Sequence, residues 1–172
     1  MKKLFLALIL AIVGTTAHAQ FYAGGTIGLD VIHVSNDDAS ATQTTFAIAP
    51  EFGYHFNHTW SLGAMVSYGL QSNDGVDLNV VHFMPYVRGV FARAGKVDFF
   101  GELGAGYGHQ SSGGYGVDGV VAALRPGVAL NFSRKFALIA RSTLLQFEHW
   151  DGVSGVEFGL NKSFDLGVQF TF

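Results

Sequence analysis

Alternation of apolar and polar residues constrains this chain more than any other feature of its sequence. From residue 164 to residue 172 the even positions are Phe, Leu, Val, Phe and Phe, while the odd positions are polar or small. Side chains of a β-strand point alternately to the two faces of a sheet, so this segment predicts a strand with one fully apolar face. Seven earlier segments alternate in the same way, which predicts an all-β fold.

The first residues have the features of a secretory signal peptide. Lys2-Lys3 precedes an apolar run over residues 4–13, and Ala17-His18-Ala19 places small residues at the spacing that signal peptidase requires. The apolar run has about ten residues, whereas a membrane-spanning helix needs about 20. We therefore expect residues 1–19 to be removed and a single domain to cover residues 20–172.

The composition of this domain excludes several kinds of protein. Without Lys2 and Lys3, eight basic residues stand against thirteen acidic ones, and this excess of negative charge gives no support to nucleic-acid binding. Cysteine is absent, which removes disulfides and thiolate metal sites. Charged residues make up 13% of the chain, against roughly 25% in typical soluble domains. The domain is therefore apolar overall without being continuously apolar.

A lipid bilayer is the environment that suits such a sequence. Hydrocarbon offers no hydrogen-bond partner to backbone N–H and C=O groups, so a spanning segment must be a helix or part of a closed barrel. No apolar run after residue 19 is long enough for a spanning helix. Eight strands of about 9–11 residues, the length that crosses a bilayer at a tilt, would use most of the domain. The sequence thus predicts an eight-stranded antiparallel up-and-down transmembrane β-barrel.

Connections of two kinds alternate between the predicted strands. The short turns cover residues 57–59, 93–96 and 133–135, and the longer polar segments cover residues 35–43, 72–79, 110–118 and 148–154. Transmembrane barrels have short periplasmic turns and longer extracellular loops, so both ends of the domain are expected on the periplasmic side. Tyr115 and Trp150 lie in the longer segments and are candidate contact residues for a partner.

Four short segments carry a family resemblance. They are Pro50-Glu51-Phe52-Gly53-Tyr54, Pro85-Tyr86-Val87-Arg88, Phe100-Gly101-Glu102-Leu103-Gly104 and Pro126-Gly127-Val128. They resemble the small outer-membrane β-barrel proteins of the porin family, which include OmpX-like and OmpA-like barrels. The resemblance implies residence in the bacterial outer membrane, in contact with its lipid and lipopolysaccharide. Because such barrels include adhesins, surface-protection proteins and structural anchors, it implies a structural or interaction role, with the surface ligand or host contact left open.

The last residues resemble the C-terminal signal of outer-membrane barrels. Phe170 and Phe172 end the apolar face of the final strand. The resemblance implies that the barrel-assembly machinery reads these residues and that periplasmic chaperones interact with the chain during biogenesis.

Five charged residues fall on the polar faces of the predicted strands, which line the barrel interior. They are Glu51, Arg88, Glu102, Arg125 and Arg141. An isolated charge in a low-dielectric lumen is costly, so opposite charges at one level are expected to pair. Eight strands leave an interior that side chains can fill. The pattern predicts a charged network that plugs the lumen and leaves no open diffusion pore.

A narrow ion channel is the first alternative. Several glycines share the polar faces, where the lack of a side chain would leave water-filled space; they are Gly24, Gly28, Gly63, Gly69, Gly104 and Gly106. The seventh strand alternates least regularly. Its predicted lipid-facing residues are Phe136, Leu138, Ala140 and Leu144, and its predicted lumen-facing residues are Ile139, Arg141, Thr143 and Leu145.

A lipid A-modifying enzyme is the second alternative. The segment from His33 to Asn36, near the outer end of the first strand, resembles the His-x-Ser-Asn motif of PagL-type lipid A deacylases. That resemblance implies Ser35 as nucleophile, His33 as base and an acid that orients the base. The acid would be Glu157, or Glu148 together with His149. Enzymatic activity is the less favoured prediction.

The histidines do not indicate a metal centre. His55, His58, His82 and His109 lie on separate strands or turns without the spacing of paired ligands. The sequence therefore predicts neither a metal site nor a cofactor.

Overall fold

The computed structural model describes residues 20–36, 39–73, 76–112, 115–159 and 164–172. Among these residues no helix has the length and apolarity needed to cross a membrane. The regular elements are strands. In chain order they are β1 (Gln20–Asn36), β2 (Ala39–His55), β3 (Trp60–Asn73), β4 (Val76–Ala94), β5 (Val97–Ser112), β6 (Tyr115–Asn131), β7 (Phe136–Ser142), β8 (Leu145–Trp150), β9 (Val153–Phe158) and β10 (Phe164–Thr171).

The strands form a closed antiparallel barrel. Each strand from β1 to β6 pairs with the next, and β1 also pairs with β10, which closes the ring through β7 back to β6. Strands β7 and β8 are two parts of one barrel strand because both pair with β6. Likewise, β9 and β10 pair with β8 and β7 and form the last barrel strand. The ten segments therefore make an eight-stranded barrel, which confirms the predicted fold.

Side-chain exposure follows the alternation, with the apolar face outward. In β10, Phe164 and Leu166 are 56% and 53% exposed, whereas Gln169, on the opposite face of the strand, is buried. The same alternation places Phe83 outside and Met84 inside in β4. An apolar exterior around a polar or small interior is the arrangement that a bilayer requires of a barrel.

The two ends of the barrel are built differently. At one end the strands are joined by short turns, one of which has Gly95 at φ 63°. At the other end the described parts of the longer polar segments are paired strand instead of irregular loop. The outermost pairs there are Asn36 with Ala39, Asn73 with Val76, Ser112 with Tyr115 and Trp150 with Val153. Strands β1 to β6 consequently have 14 to 19 residues, more than a membrane crossing needs.

The junction between β7 and β8 changes the register of the seventh barrel strand. Arg141 pairs with Gly127, but Leu145 pairs with Leu124. Three residues lie between Arg141 and Leu145, whereas only two lie between their partners Gly127 and Leu124 on β6. The extra residue is a β-bulge at Thr143-Leu144. Because of it, each following side chain of this barrel strand points to the face opposite to the one that simple alternation predicts.

The bulge corrects the predicted facing of the next residues. Leu145 is 39% exposed and lies on the lipid side with Phe147, so the prediction that it faces the lumen was wrong. Gln146 takes the inward position and lines a cavity of the lumen. Glu148 and Trp150, which were expected in a loop, belong to β8, where Trp150 Nε1 donates to Glu148 Oε2 at 2.9 Å.

Candidate functional site in the barrel lumen

The five charged residues predicted inside the barrel meet in one buried cluster, termed the lumen network: Glu51, Arg88, Glu102, Arg125 and Arg141. Strand register brings them together, because Glu102 pairs with Arg88 on one side and with Arg125 on the other. Each of the five is at most 3% exposed. Burial of this many charges is tolerable only if every charge has opposite charges close to it.

Glu102 is surrounded by guanidinium groups. Its Oε1 accepts a hydrogen bond from Arg88 Nε at 2.8 Å. Its Oε2 lies 3.0 Å from Arg125 Nη2 and 3.4 Å from Arg141 Nη1. Three positive groups therefore share one carboxylate, which offsets the cost of burying it.

Two further carboxylates balance the charge. Glu51 accepts from Arg141 Nη1 at 2.7 Å and from Arg88 Nη2 at 3.2 Å. Asp165, at the start of β10, lies 3.4 Å from Arg141 Nε. With Glu102 these make three carboxylates against three guanidinium groups, so the cluster as a whole is electrically neutral.

Neutral partners complete the hydrogen bonding, and the sequence analysis missed them. Arg88 Nη1 donates to Gln169 Oε1 at 2.6 Å, and Arg141 Nη2 donates to Thr26 Oγ1 at 2.8 Å. Gln169 and Thr26 lie on inward faces, as does the charged Asp165, which the sequence did not reveal either. Their odd or even position along the strand predicts that they point inward. It does not predict which inward polar residue contacts which arginine.

Aromatic side chains fill the lumen beside the network. The hydroxyl oxygens of Tyr22 and Tyr86 lie 3.0 Å apart. The Arg88 guanidinium lies 5.6 Å from the centre of each of these rings and 4.6 Å from that of Phe100. A guanidinium placed over aromatic rings gains cation–π attraction, which is stronger where water is excluded.

Inward glycines make room for these side chains. A Cβ on Gly63 would lie 2.6 Å from Tyr86 Cζ and closer still to Tyr22 Oη. A Cβ on Gly104 would lie 3.0 Å from the side chain of Met84. At these positions the space over a glycine is occupied by a neighbouring side chain. The glycines therefore favour a filled lumen over a water-filled channel.

Two cavities flank the network and share no lining residue. The inner cavity, at the end with the short turns, has a volume of about 440 Å³ and is lined in part by Arg88 and His55. The outer cavity has a volume of about 240 Å³ and is lined in part by Arg125 and Asp165. Different members of the network thus face the two cavities.

The residues of the proposed deacylase motif do not form a described site. The side chains of His33, Ser35 and Glu157 lie outside the part of the chain that the structure describes. Their backbones belong to β1 and β9, which are not partners among the described strand pairs.

The other acid and base suggested for that enzyme point to opposite faces. Glu148 faces inward on β8 and accepts a hydrogen bond from Gln146. His149 faces outward, with Nδ1 2.8 Å from Ser154 Oγ across the hairpin. The two side chains therefore do not act as a pair.

The histidines make local contacts. His55 Nδ1 lies 2.8 Å from Ser61 Oγ, and His109 Nδ1 lies 2.7 Å from Asp118 Oδ1. Within the described ranges no group of three or more His, Asp or Glu residues is arranged to hold a metal ion.

Phe170 and Phe172 lie on the outward face at the end with the short turns. The ring of Phe170 is 5.0 Å from that of Phe136, and the backbone N–H of Phe172 donates to the Phe21 carbonyl at 2.9 Å. Their reading by the assembly machinery stays a prediction.

Solved structures of bacterial surface barrels share this fold. Neisserial surface protein A is 17% identical with a TM-score of 0.56, and 90% of this chain and 97% of that chain are covered. Ail of Yersinia pestis is 19% identical with a TM-score of 0.52 and the same coverage. OprG of Pseudomonas aeruginosa is 12% identical with a TM-score of 0.56, covering 90% of this chain and 95% of that chain. Identities this low establish a common fold and no more.

A family model supplies the assignment that these likenesses alone do not. The model described as "Outer membrane protein beta-barrel domain" matches residues 4–172. No functionally curated protein matches the sequence significantly. Members of the family sit in the lipopolysaccharide-containing outer membrane of bacteria. The chain therefore belongs to the outer membrane protein β-barrel family and is located in the bacterial outer membrane.

Proposed function

We propose that the protein is a structural and interaction barrel whose lumen is plugged by the lumen network, with no open diffusion pore. The observation that carries this proposal is the burial of three guanidinium groups and two carboxylates in one cluster, each at most 3% exposed. A conducting aqueous path would hydrate such charges, because ions in contact with water avoid the desolvation cost of burial. The aromatic rings beside the network support the same conclusion.

The hairpins at the outer end support the interaction part of the proposal. Strand pairing includes Tyr115, which pairs with Ser112 and is 85% exposed. The hairpin between β8 and β9 turns at Asp151 and Gly152, whose φ angles are 39° and 83°. Tyrosine is enriched at protein interfaces because it combines a large apolar ring with a hydrogen-bonding group. Paired strands of this kind hold such groups in fixed positions for contact with another surface.

Planar-bilayer conductance tests the plug. We expect no steady single-channel steps from the unmodified protein. The double variant Tyr22→Ala with Tyr86→Ala removes the rings that fill the lumen, and we expect it to give steady steps. The matched control is Arg93→Ala, which breaks an ion pair at the rim of the barrel and should stay silent. Steady steps from the unmodified protein that vanish in Arg88→Ala would overturn the plug.

The cleaved signal peptide is a separate part of the proposal. Its support is the basic, apolar and small-residue pattern of residues 1–19. The intact mass of the protein extracted from outer membranes is expected to correspond to a chain that starts at Gln20. A mass that includes residues 1–19 would contradict cleavage.

A further inference from the structure

Two buried side chains that line the outer cavity, Arg125 and His82, have nitrogens without a hydrogen-bond partner among the described residues. Arg125 lines this cavity and donates from Nη1 to the Met65 sulfur at 3.3 Å. Its Nη2 forms an ion pair with Glu102, but neither Nη2 nor Nε makes a hydrogen bond within the described part of the chain. The Nε2 atom of His82, which also lines the cavity, has no partner there either. An arginine can only donate hydrogen bonds, so Arg125 is satisfied only by an added acceptor.

Arg125 also has the fewest ion pairs of the three arginines in this neutral cluster. Glu102, the carboxylate that pairs with it, is shared with Arg88 and Arg141. Asp165, which lines the same cavity, pairs with Arg141 at 3.4 Å. The missing acceptor is therefore best supplied by a group that carries negative charge, since charge-assisted hydrogen bonds are stronger than neutral ones.

The inner cavity has no such need. Arg88 donates to Glu102, Gln169 and Glu51. Both ring nitrogens of His55 have partners, at 2.8 Å to Ser61 Oγ and 3.1 Å to Gln169 Nε2. Among the described residues, buried nitrogens without a hydrogen-bond partner therefore line the outer cavity and not the inner one.

Apolar side chains form part of the walls of the outer cavity; they include Ala49, Met65, Met84, Val121 and Ala123, all of them buried. The cavity is also lined by the polar residues Thr26, Ser67, Thr143, Gln146 and Asp165. Its volume of about 240 Å³ equals that of about eight water molecules in the liquid, enough for a short unbranched organic molecule. Buried apolar side chains beside a guanidinium group with unpaired donors match a molecule with an aliphatic chain and one anionic head.

We propose that the outer cavity is a binding site for a small aliphatic carboxylate. The carboxylate oxygens accept from Arg125, and the aliphatic chain contacts Met65 and Met84. Binding requires no passage through the barrel, so the site is compatible with a plugged lumen. The binding proposal can therefore be tested independently of the plug.

Methionine NMR gives a direct readout of this cavity. The sequence holds three methionines, Met1, Met65 and Met84, and both internal ones line the cavity. The protein is labelled with methyl-¹³C methionine, reconstituted in lipid nanodiscs and titrated with hexanoate; Met65→Leu assigns the signals. Hexylamine, with the same chain length and the opposite charge, controls for partitioning of alkyl chains into lipid. We expect saturable shifts of both internal signals with hexanoate and none with hexylamine.

Cavity variants test the location. Ala123→Leu fills the cavity from β6 and is expected to abolish the hexanoate shift of the methionine signals. The matched control Ala122→Leu adds the same side chain one residue away on the lipid-facing side and should keep the shift. Arg125→Met should also lose it, and Ala123→Leu still decides the matter if Arg125→Met does not fold. The proposal is overturned by the absence of a saturable hexanoate shift, as for a cavity that holds water alone. Equal shifts with hexylamine, or unchanged binding in Ala123→Leu, would overturn it too.

Discussion

Arg141 and Glu51 are 90 positions apart in the sequence, yet Arg141 Nη1 donates to Glu51 Oε2 at 2.7 Å across the lumen. Both side chains are fully buried. They lie on β7 and β2, which share no backbone hydrogen bonds in the described pairing. The network therefore connects strands that the sheet itself does not connect.

Removing one partner of this pair should be costly. Glu51→Gln leaves the Arg141 guanidinium buried with less negative charge beside it, and breaking a buried ion pair typically costs about 3–5 kcal/mol. We expect a loss of that size in the free energy of unfolding, measured by urea titration in lipid vesicles. The control is Arg93→Ala, which breaks the partly exposed ion pair between Arg93 and Asp98 (3.3 Å) and should cost about 0–1 kcal/mol.

A double variant separates charge from packing. Glu51→Leu combined with Arg141→Met removes one charge of each sign, so the rest of the lumen network together with Asp165 stays neutral, and apolar replacements of buried ion pairs are often tolerated. We expect the double variant to be more stable than Arg141→Met alone. If Glu51→Gln and Arg93→Ala have the same small effect, the network does not stabilise the barrel.

The three arginines should not contribute equally. Arg141 donates to Glu51 and Thr26 at 2.7 and 2.8 Å. Arg125 has one ion pair, one contact to sulfur, a cation–π contact with Tyr86 at 5.6 Å and two nitrogens without a hydrogen bond. An unsatisfied buried donor costs free energy in the folded state, and removing it recovers that cost. Arg125→Met should therefore lower the free energy of unfolding less than Arg141→Met does, in the same urea titration. An equal or larger loss in Arg125→Met would show that its ion pair with Glu102 outweighs its unsatisfied donors.

The sequence predicts the faces of the strands and the members of the network for one physical reason. Apolar side chains face the lipid, and polar or small side chains face the narrow lumen. The alternation of the two kinds along a strand therefore predicts which residues point inward and which point outward. Inward charge is rare in such a chain, and Glu51, Arg88 and Glu102 are conspicuous for that reason, although the inward carboxylate of Asp165 was missed. Their neutral partners Gln169 and Thr26 are not, because nothing in parity distinguishes one inward polar residue from another.

Two features could not be predicted from the sequence. The bulge at Thr143-Leu144 inserts one residue without any glycine or proline to mark it, so parity carried across it gave the wrong face to Leu145. The hairpin extensions have polar residues on both faces, which is the composition of a loop. Their strand pairing depends on the hydrogen bonds of the hairpin and leaves no apolar pattern.

The close contact between Gly63 and the tyrosine pair gives a packing prediction. In Gly63→Ala the added methyl group would overlap Tyr22 and Tyr86. Overpacking of a filled interior costs about 1–3 kcal/mol, and we expect that loss in the free energy of unfolding. Gly101→Ala is the matched control, because no atom lies within 4 Å of its added Cβ and alanine is less costly to order in a strand than glycine. Equal stability of the two variants would mean that the tyrosines do not pack against Gly63 in the membrane.

The face exchange at the bulge can be tested residue by residue, because the chain has no cysteine and single cysteines take a spin label cleanly. Labels at Leu145→Cys and Phe147→Cys should face lipid and relax strongly with oxygen, which concentrates in hydrocarbon. A label at Gln146→Cys should face the lumen and respond weakly to oxygen.

The strand before the bulge supplies the reference. Leu138→Cys lies on the exposed face of β7, and Ala137→Cys lies on its buried face. Leu138 is even-numbered and Leu145 is odd-numbered, so lipid contact at both positions requires an exchange of faces between them. Uninterrupted alternation would instead place the label at position 146 in lipid and the label at position 145 in the lumen. That result would show that there is no bulge, that the alternation of faces continues through position 145, and that Gln146 does not line the outer cavity.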